Sequence, residues 1–353
     1  MCTCIQPVGS RAQEFFTASR DTLSDLTQRI IRAVDAVFCQ LERVTIAPLG
    51  DLRCGISTCI RGLFRSLIAR YVFFSLNELT GNEHKEHAER VLAKLQNSTI
   101  TRSDFAVSLH AKLSVISMTR PENRHTLVYF PGHYEIWQSA ANFLSKLHVE
   151  ADVNVYAINY RGTGTSSGFP ETEDLLLEDA KAFINDLVAT HNIPKESICL
   201  AGSDIGGAIA TLAGSELLCD VISIRSFRSL TKLIQATFPL FSNAAAQFAK
   251  GLHWNFDVET ALKNHTKSFI TVFSENDPQI PYEQSTRAFI EQQTEEPLKC
   301  KKITTIKLDE ADFLIESPQY AEDPDCNPHV RPLTTNERGQ LVVAIKSLWE
   351  NTV

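Results

Sequence analysis

Long apolar runs, regularly spaced cysteines, internal repeats and an excess of basic charge are all missing from this sequence. Charge interrupts every apolar stretch before it reaches the length needed to span a bilayer. The N-terminus lacks a basic start followed by an apolar core, so a cleavable export signal is not expected. The nine cysteines are odd in number and follow neither a disulfide nor a metal-site pattern. They point to free thiols in a reducing compartment, with a cytoplasmic location as the expectation. A net charge of −8 argues against nucleic acid as a partner. Without repeats or low-complexity linkers, solenoids and tethered modules are excluded. His84 and His87 share a helical spacing but sit among Glu83, Lys85 and Glu86, which reads as a solvated face. Neither a metal nor a cofactor is implied.

What remains is a chain of 353 residues, 43% hydrophobic and 22% charged, the make-up of an ordinary globular protein with a full core. Its charge is uneven. The first 76 residues hold nine arginines and no lysine against six acids, so the acidity lies downstream. Residues 1–104 read as a helical N-terminal extension, with Leu23, Leu26, Ile30, Val34 and Phe38 at helical steps. Residues 56–79 form a second amphipathic stretch, arginine-rich and aromatic. Two readings stand for it: packing against the neighbouring domain, which is favoured, or peripheral contact with an anionic membrane surface. Cys2 and Cys4 are candidate lipidation sites, although a terminal pair of cysteines is weak support.

From residue 105 to 353 the texture changes to alternating strands and helices. Apolar strands are predicted at Leu127–Phe130, Val153–Ile158, Ile198–Ala201, Val221–Ser226, Phe269–Phe273 and Ile303–Leu308, with an edge strand over Val107–Ile116. Helices between them imply a mostly parallel sheet covered on both faces. Sites in such sheets lie at the carboxyl ends of the strands. Residues 231–262, with Phe238 to Phe241 and Trp254, read as a small helical lid over a small-molecule or lipid-like ligand. Core packing explains their apolar side chains equally well.

The centre of this pattern is Gly202-Ser203-Asp204-Ile205-Gly206-Gly207 after the strand at Ile198. Small residues two before and two after a polar one, between strand and helix, are the spacing of a nucleophile elbow. With Ser203 central, bulky Ile205 would fall where the turn needs a small residue. Asp204 is therefore the central residue.

Together with Val128-Tyr129-Phe130-Pro131-Gly132, Tyr160-Arg161-Gly162-Thr163-Gly164-Thr165-Ser166, the Arg225–Leu230 segment and Asn276-Asp277-Pro278, this elbow resembles the α/β-hydrolase superfamily, in particular its serine-peptidase-like and lipase-like branch. The N-terminal extension looks more like that of uncharacterised hydrolase-like proteins of intracellular bacteria, Chlamydia and Legionella among them. The resemblance implies that Asp204 stands at the nucleophile position and Asp277 at that of the histidine-orienting acid. It also implies a histidine shortly after the last strand. Asp312 stands there instead, and His329, counted back from the final helix, is the candidate base. The oxyanion donors would be the N–H of Ile205 and one from the loop of Gly132, His133 and Tyr134, with His133 and Tyr134 lining the pocket.

Aspartate cannot run serine chemistry. It can attack carbon to form an ester, which a histidine-activated water then hydrolyses, as in the haloalkane dehalogenase and epoxide hydrolase branches. The favoured expectation is a degenerate, non-catalytic binding or scaffold protein of effector-like type, with enzyme status left open and a standard serine esterase not expected. The alternative is a hydrolase using Asp204, His329 and Asp277 through a covalent ester.

Overall fold

The computed structural model describes residues 82–350 apart from 134, 238–241, 252, 295–296 and 319–327. Most of residues 1–104, including 56–79, lies outside the described residues. Helix α1 (Asn82–Leu92) leads into the hairpin β1 (Thr99–Ser108) and β2 (Ala111–Thr119). There follow β3 (Thr126–Phe130), α2 (Trp137–Glu150), β4 (Asn154–Ile158), α3 (Glu173–Ala189), β5 (Ile198–Ser203), α4 (Ile205–Leu217) and β6 (Asp220–Ile224). The segment read as a lid contains α5 (Leu230–Thr237) and α6 (Ser242–Gly251), with α7 (Val258–Asn264) after it. The chain closes with β7 (Phe269–Phe273), α8 (Thr286–Gln292), β8 (Ile303–Lys307), α9 (Glu310–Glu316) and α10 (Thr335–Lys346).

The eight strands form one sheet in the order β1-β2-β4-β3-β5-β6-β7-β8. The β1–β2 and β2–β4 pairs are antiparallel, and every pair from β4 to β8 is parallel. This is the mostly parallel sheet that the strand and helix pattern predicts, in the α/β-hydrolase architecture that the resemblance implies.

Alternation along the strands builds two cores. Val128 and Phe130 of β3, with Ile198 and Leu200 of β5, pack on one face against Phe183 of α3 and Ile209 of α4. Leu127, Tyr129, Cys199 and Ala201 face the other way, towards Leu144 of α2 and Leu341 and Ile345 of α10. Burial on both faces explains why these strands read as continuous apolar runs.

One predicted element differs. The single edge strand placed over residues 107–116 is the end of β1, a turn, and the start of β2. The turn residues Leu109 and His110 carry no glycine, proline or asparagine signal, so nothing in the sequence marks a break in the apolar–polar alternation. Leu109 at the tip is 98% exposed.

Candidate active site

The elbow follows from steric demand at three glycines. A Cβ on Gly206 would lie 2.0 Å from the Phe130 carbonyl oxygen, and one on Gly202 would lie 2.2 Å from Gly206 itself. A Cβ on Gly207 would meet Ser226 at 2.8 Å. The close packing of β5, α4 and the end of β3 leaves room for hydrogen only. Between them Asp204 adopts φ 50° and ψ −116°, a conformation that L-residues rarely occupy and that strained functional turns retain. Its N–H donates to the Ile224 carbonyl at 2.8 Å, tying the turn to the end of β6. The carboxylate stands at the N-terminus of α4, where the orphan N–H groups and the helix dipole favour negative charge.

The loop after β3 approaches this carboxylate. The N–H of His133 donates to Asp204 Oδ2 at 3.3 Å. The N–H of Gly132 points elsewhere, to Glu135 Oε2 at 2.8 Å, and the Tyr129 hydroxyl donates to the same oxygen at 2.8 Å. Burial raises the Glu135 pKa, against the lowering effect of those two donors and of Arg225. Tyr160 completes the loop's support by donating to the Pro131 carbonyl at 2.7 Å. Ile205, the other expected oxyanion donor, is the first residue of α4 and is buried. Tyr134 lies outside the described residues.

Asp277 and His329 meet. Asp277 follows β7, and its Oδ1 accepts the N–H groups of Gln279 and Ile280, each at 2.9 Å. Its Oδ2 lies 2.8 Å from His329 Nδ1, with the two side chains 3% and 8% exposed. Burial pushes the Asp277 pKa up, but the hydrogen bond and charge of His329, with the two backbone donors, hold it below the ordinary value. An ionised acid on Nδ1 fixes the tautomer with Nδ1–H donating, which leaves Nε2 as the accepting nitrogen. Asp204, Asp277 and His329 thus belong to loops at the carboxyl ends of β5, β7 and β8. Asp312, at the usual histidine position, lies on α9 and accepts from Asn336 Nδ2 at 3.3 Å.

The loop carrying His329 is held by two arginines that the sequence did not single out. Arg225 Nη1 and Nη2 donate to the carbonyls of His329 and Arg331, both at 2.7 Å. Arg331 is fully buried and reaches both oxygens of Glu337, at 2.7 and 2.9 Å. Glu337 is also the N3 residue of the Thr334 capping box, which was legible in the sequence. The predicted turn after β4 is present as well: Arg161 pairs bidentately with Asp179 at 2.6 Å, and Gly162 and Gly164 have φ of 69° and 57°.

A second histidine pair lies at the amino ends of the strands. Ser98 Oγ is 2.9 Å from His148 Nε2, and His148 Nδ1 is 2.6 Å from the Val153 carbonyl. A carbonyl only accepts, so Nδ1 carries the proton and Nε2 accepts the Ser98 hydroxyl, the polarity of a serine–histidine dyad. Arg120 Nε also donates to Ser98 Oγ at 3.0 Å. Burial lowers the His148 pKa, the Val153 hydrogen bond opposing it. Nothing in the sequence flagged this pair, whose members stand 50 residues apart.

These observations correct two expectations. The degenerate, non-catalytic reading fails, because the described residues hold a Ser98–His148 hydrogen bond of catalytic polarity and a buried His329–Asp277 pair. The same hydrogen bond overturns the expectation against serine-hydrolase chemistry, and the label of pseudoenzyme is withdrawn. The peripheral membrane contact expected of residues 56–79 lies outside the described residues; among the described residues no helix is long and apolar enough to cross a membrane.

Residues 121–307, just over half of the chain, match the family described as serine aminopeptidase, S33. The chain belongs to that family. It is 26% identical over 173 residues to protein bem46 of Schizosaccharomyces pombe, covering 48% of this chain and 56% of that protein. It is 27% identical over 173 residues to the uncharacterized protein YfhR of Salmonella typhimurium, covering 47% and 56%. The match spans little more than half the length of these curated relatives. Among solved structures, an α/β-hydrolase of Vibrio vulnificus is 18% identical with a TM-score of 0.52, covering 73% of this chain and 91% of its own. An esterase of Pyrococcus furiosus is 16% identical with a TM-score of 0.51, covering 72% and 92%. At these identities the likeness establishes the α/β-hydrolase fold.

Proposed function

We propose that the chain is a hydrolase working from the elbow, with Asp204 as nucleophile, His329 as general base and Asp277 as the acid that orients it. The observation that carries this reading is the buried 2.8 Å hydrogen bond between His329 Nδ1 and Asp277 Oδ2. In the first step an Asp204 oxygen attacks an electrophilic carbon, a C–O bond forms, and the bond from that carbon to a halide or an epoxide oxygen breaks. In the second step His329 Nε2 takes a proton from water as the hydroxide adds to Asp204 Cγ. The negative charge then develops on the other Asp204 oxygen. Collapse releases the alcohol, which takes its proton from His329, and leaves Asp204 as a carboxylic acid. Its proton passes to solvent when a halide has left, or to the alkoxide of an opened epoxide, and the carboxylate is restored.

The His133 contact makes sense within this scheme. In serine chemistry a loop donor faces the oxygen of the substrate. Here the ester carbonyl is that of Asp204 itself, so a donor on Asp204 Oδ2 would stabilise the oxyanion of the second step. The substrate class is a small or lipid-like apolar molecule beneath α5 and α6, with a displaceable halide or a strained ring.

A second reading, a serine hydrolase working from Ser98 and His148, is favoured by their 2.9 Å hydrogen bond. It has a backbone carbonyl where an orienting carboxylate would stand, so we place it after the elbow. The likeness of the N-terminal residues to hydrolase-like proteins of intracellular bacteria adds a cellular setting as a proposal; the matched relatives support the superfamily.

The experiment is a panel of primary alkyl halides, terminal epoxides and aryl esters, assayed with the full chain and with Asp204→Ala and Ser98→Ala. Turnover of a halide or epoxide abolished in Asp204→Ala and kept in Ser98→Ala supports the elbow. The opposite pattern moves the chemistry to Ser98.

A further inference from the structure

The end of β6 touches each part of the elbow site. The Ile224 carbonyl accepts the N–H of Asp204 at 2.8 Å. The next residue, Arg225, donates its own N–H to Val272 of β7 at 2.7 Å, the strand whose following loop carries Asp277. Its side chain then reaches the carbonyls on either side of Val330, those of His329 and Arg331, each at 2.7 Å. Residues 328–331 form no helix or strand, so no ladder of backbone hydrogen bonds fixes their register.

We propose that Arg225 is the positioning residue of the elbow site, its guanidinium acting as a rigid fork that fixes the loop and thereby aims His329. The proposal rests on the reading of His329 as the base.

Three features argue for this role over ordinary packing. A planar guanidinium offers two parallel donors in fixed geometry, which suits two carbonyls two residues apart and which an ammonium cannot reproduce. Arg225 holds φ 47°, a conformation suited to glycine, so the position keeps a large side chain against its backbone preference. Arg225 is also buried, and its Nε has no hydrogen-bond partner. Burying a cation on neutral carbonyls is a poor way to gain stability. Burial and Arg331 bring its pKa down to about 10, with Asp277 opposing, so it remains a cation at neutral pH.

The test uses the full chain with ¹⁵N-labelled histidine and follows the Nδ1–H resonance of His329, identified by its loss in His329→Gln. The wild type is expected to show a downfield signal protected from exchange. Arg225→Lys keeps the charge without the fork and is expected to lose the signal. Where a substrate is known, its kcat should fall at least tenfold with KM unchanged. Should the lysine variant fail to fold, Arg225→Gly relieves the positive φ, and millimolar guanidinium should restore the signal while methylammonium does not. An unchanged signal in folded Arg225→Lys, or in Arg225→Gly without added guanidinium, overturns the proposal. Equal rescue by methylammonium overturns it too, because charge alone would then suffice. Absence of the signal from the wild type sinks the reading of His329 and Asp277 as a working pair, a different failure from that of Arg225.

Discussion

The two ends of the parallel strands each hold a histidine fixed through Nδ1, yet they are built for different work. At the carboxyl ends, His329 is held by the ionised Asp277, which can stabilise an imidazolium. At the amino ends, His148 is held by the Val153 carbonyl, and burial lowers its pKa. A carbonyl orients the ring but offers little to a developing positive charge, so His148 accepts a hydrogen bond more readily than a proton. The residues they would activate differ as well. Asp204 sits in a strained turn at a helix N-terminus, whereas Ser98 lies just before an ordinary strand. Strain, a carboxylate and a helix N-terminus coincide at one end only.

The comparison breaks most easily through catalysis. With any substrate that is turned over, Asp277→Asn is expected to lower kcat on the order of 10⁴-fold by releasing the histidine tautomer, while Ser98→Ala leaves it within about twofold. A large loss in Ser98→Ala would reverse the roles of the two ends. Next in size, Asp204→Ser places a hydroxyl in the elbow register beside an existing acid–histidine pair. Aryl-ester hydrolysis should rise by roughly 10²-fold over Asp204→Ala, the scale of general-base assistance. No gain would mean that His329 does not serve position 204.

Stability sharpens the same contrast. Gly206→Ala drives a methyl into the Phe130 carbonyl, so denaturant unfolding should show a loss of about 3 kcal/mol or more. Ser98→Ala removes one hydrogen bond from buried His148 and should cost about 1–3 kcal/mol. Equal costs would remove strain as a distinction.

The smallest effect is in pH. His148 and His265 are fully buried, and burial is the main cause of their lowered pKa values. Below 6.5 the unfolded chain takes up protons that the folded one refuses, so stability should fall as the pH drops below that value, until the folded pKa values are reached. Each histidine contributes a slope of up to about 1.4 kcal/mol per pH unit. His148→Gln should flatten part of that slope. A slope unchanged by it would mean that His148 is not held neutral.

Much of this was legible in the chain. The strands and the mostly parallel sheet followed from apolar runs separated by helices, and the elbow register from the size of Ile205 against Gly206 and Gly207. Asp277 and His329 were singled out by the family resemblance, from their places after β7 and before α10. Other features depend on contacts between segments far apart in sequence. Arg225 and His329 are 104 residues apart, and the fork between them leaves no local pattern. Glu135 gave no signal because its partners, Tyr129 and Gly132, belong to the strand and turn before it. The β1–β2 turn was missed because Leu109 and His110 lack turn chemistry. The non-catalytic expectation failed because the sequence could not show that His329 and Asp277 are in contact.

The central claim is that Asp204 forms a covalent ester that His329 helps to hydrolyse. Intact-mass and peptide mass spectrometry of His329→Gln, incubated with a primary alkyl halide or terminal epoxide that the wild type turns over, tests it directly. One adduct per chain, mapping to Asp204 and absent from Asp204→Ala, is the predicted result. Turnover that persists in Asp204→Ala, or an adduct that maps to Ser98, would contradict it.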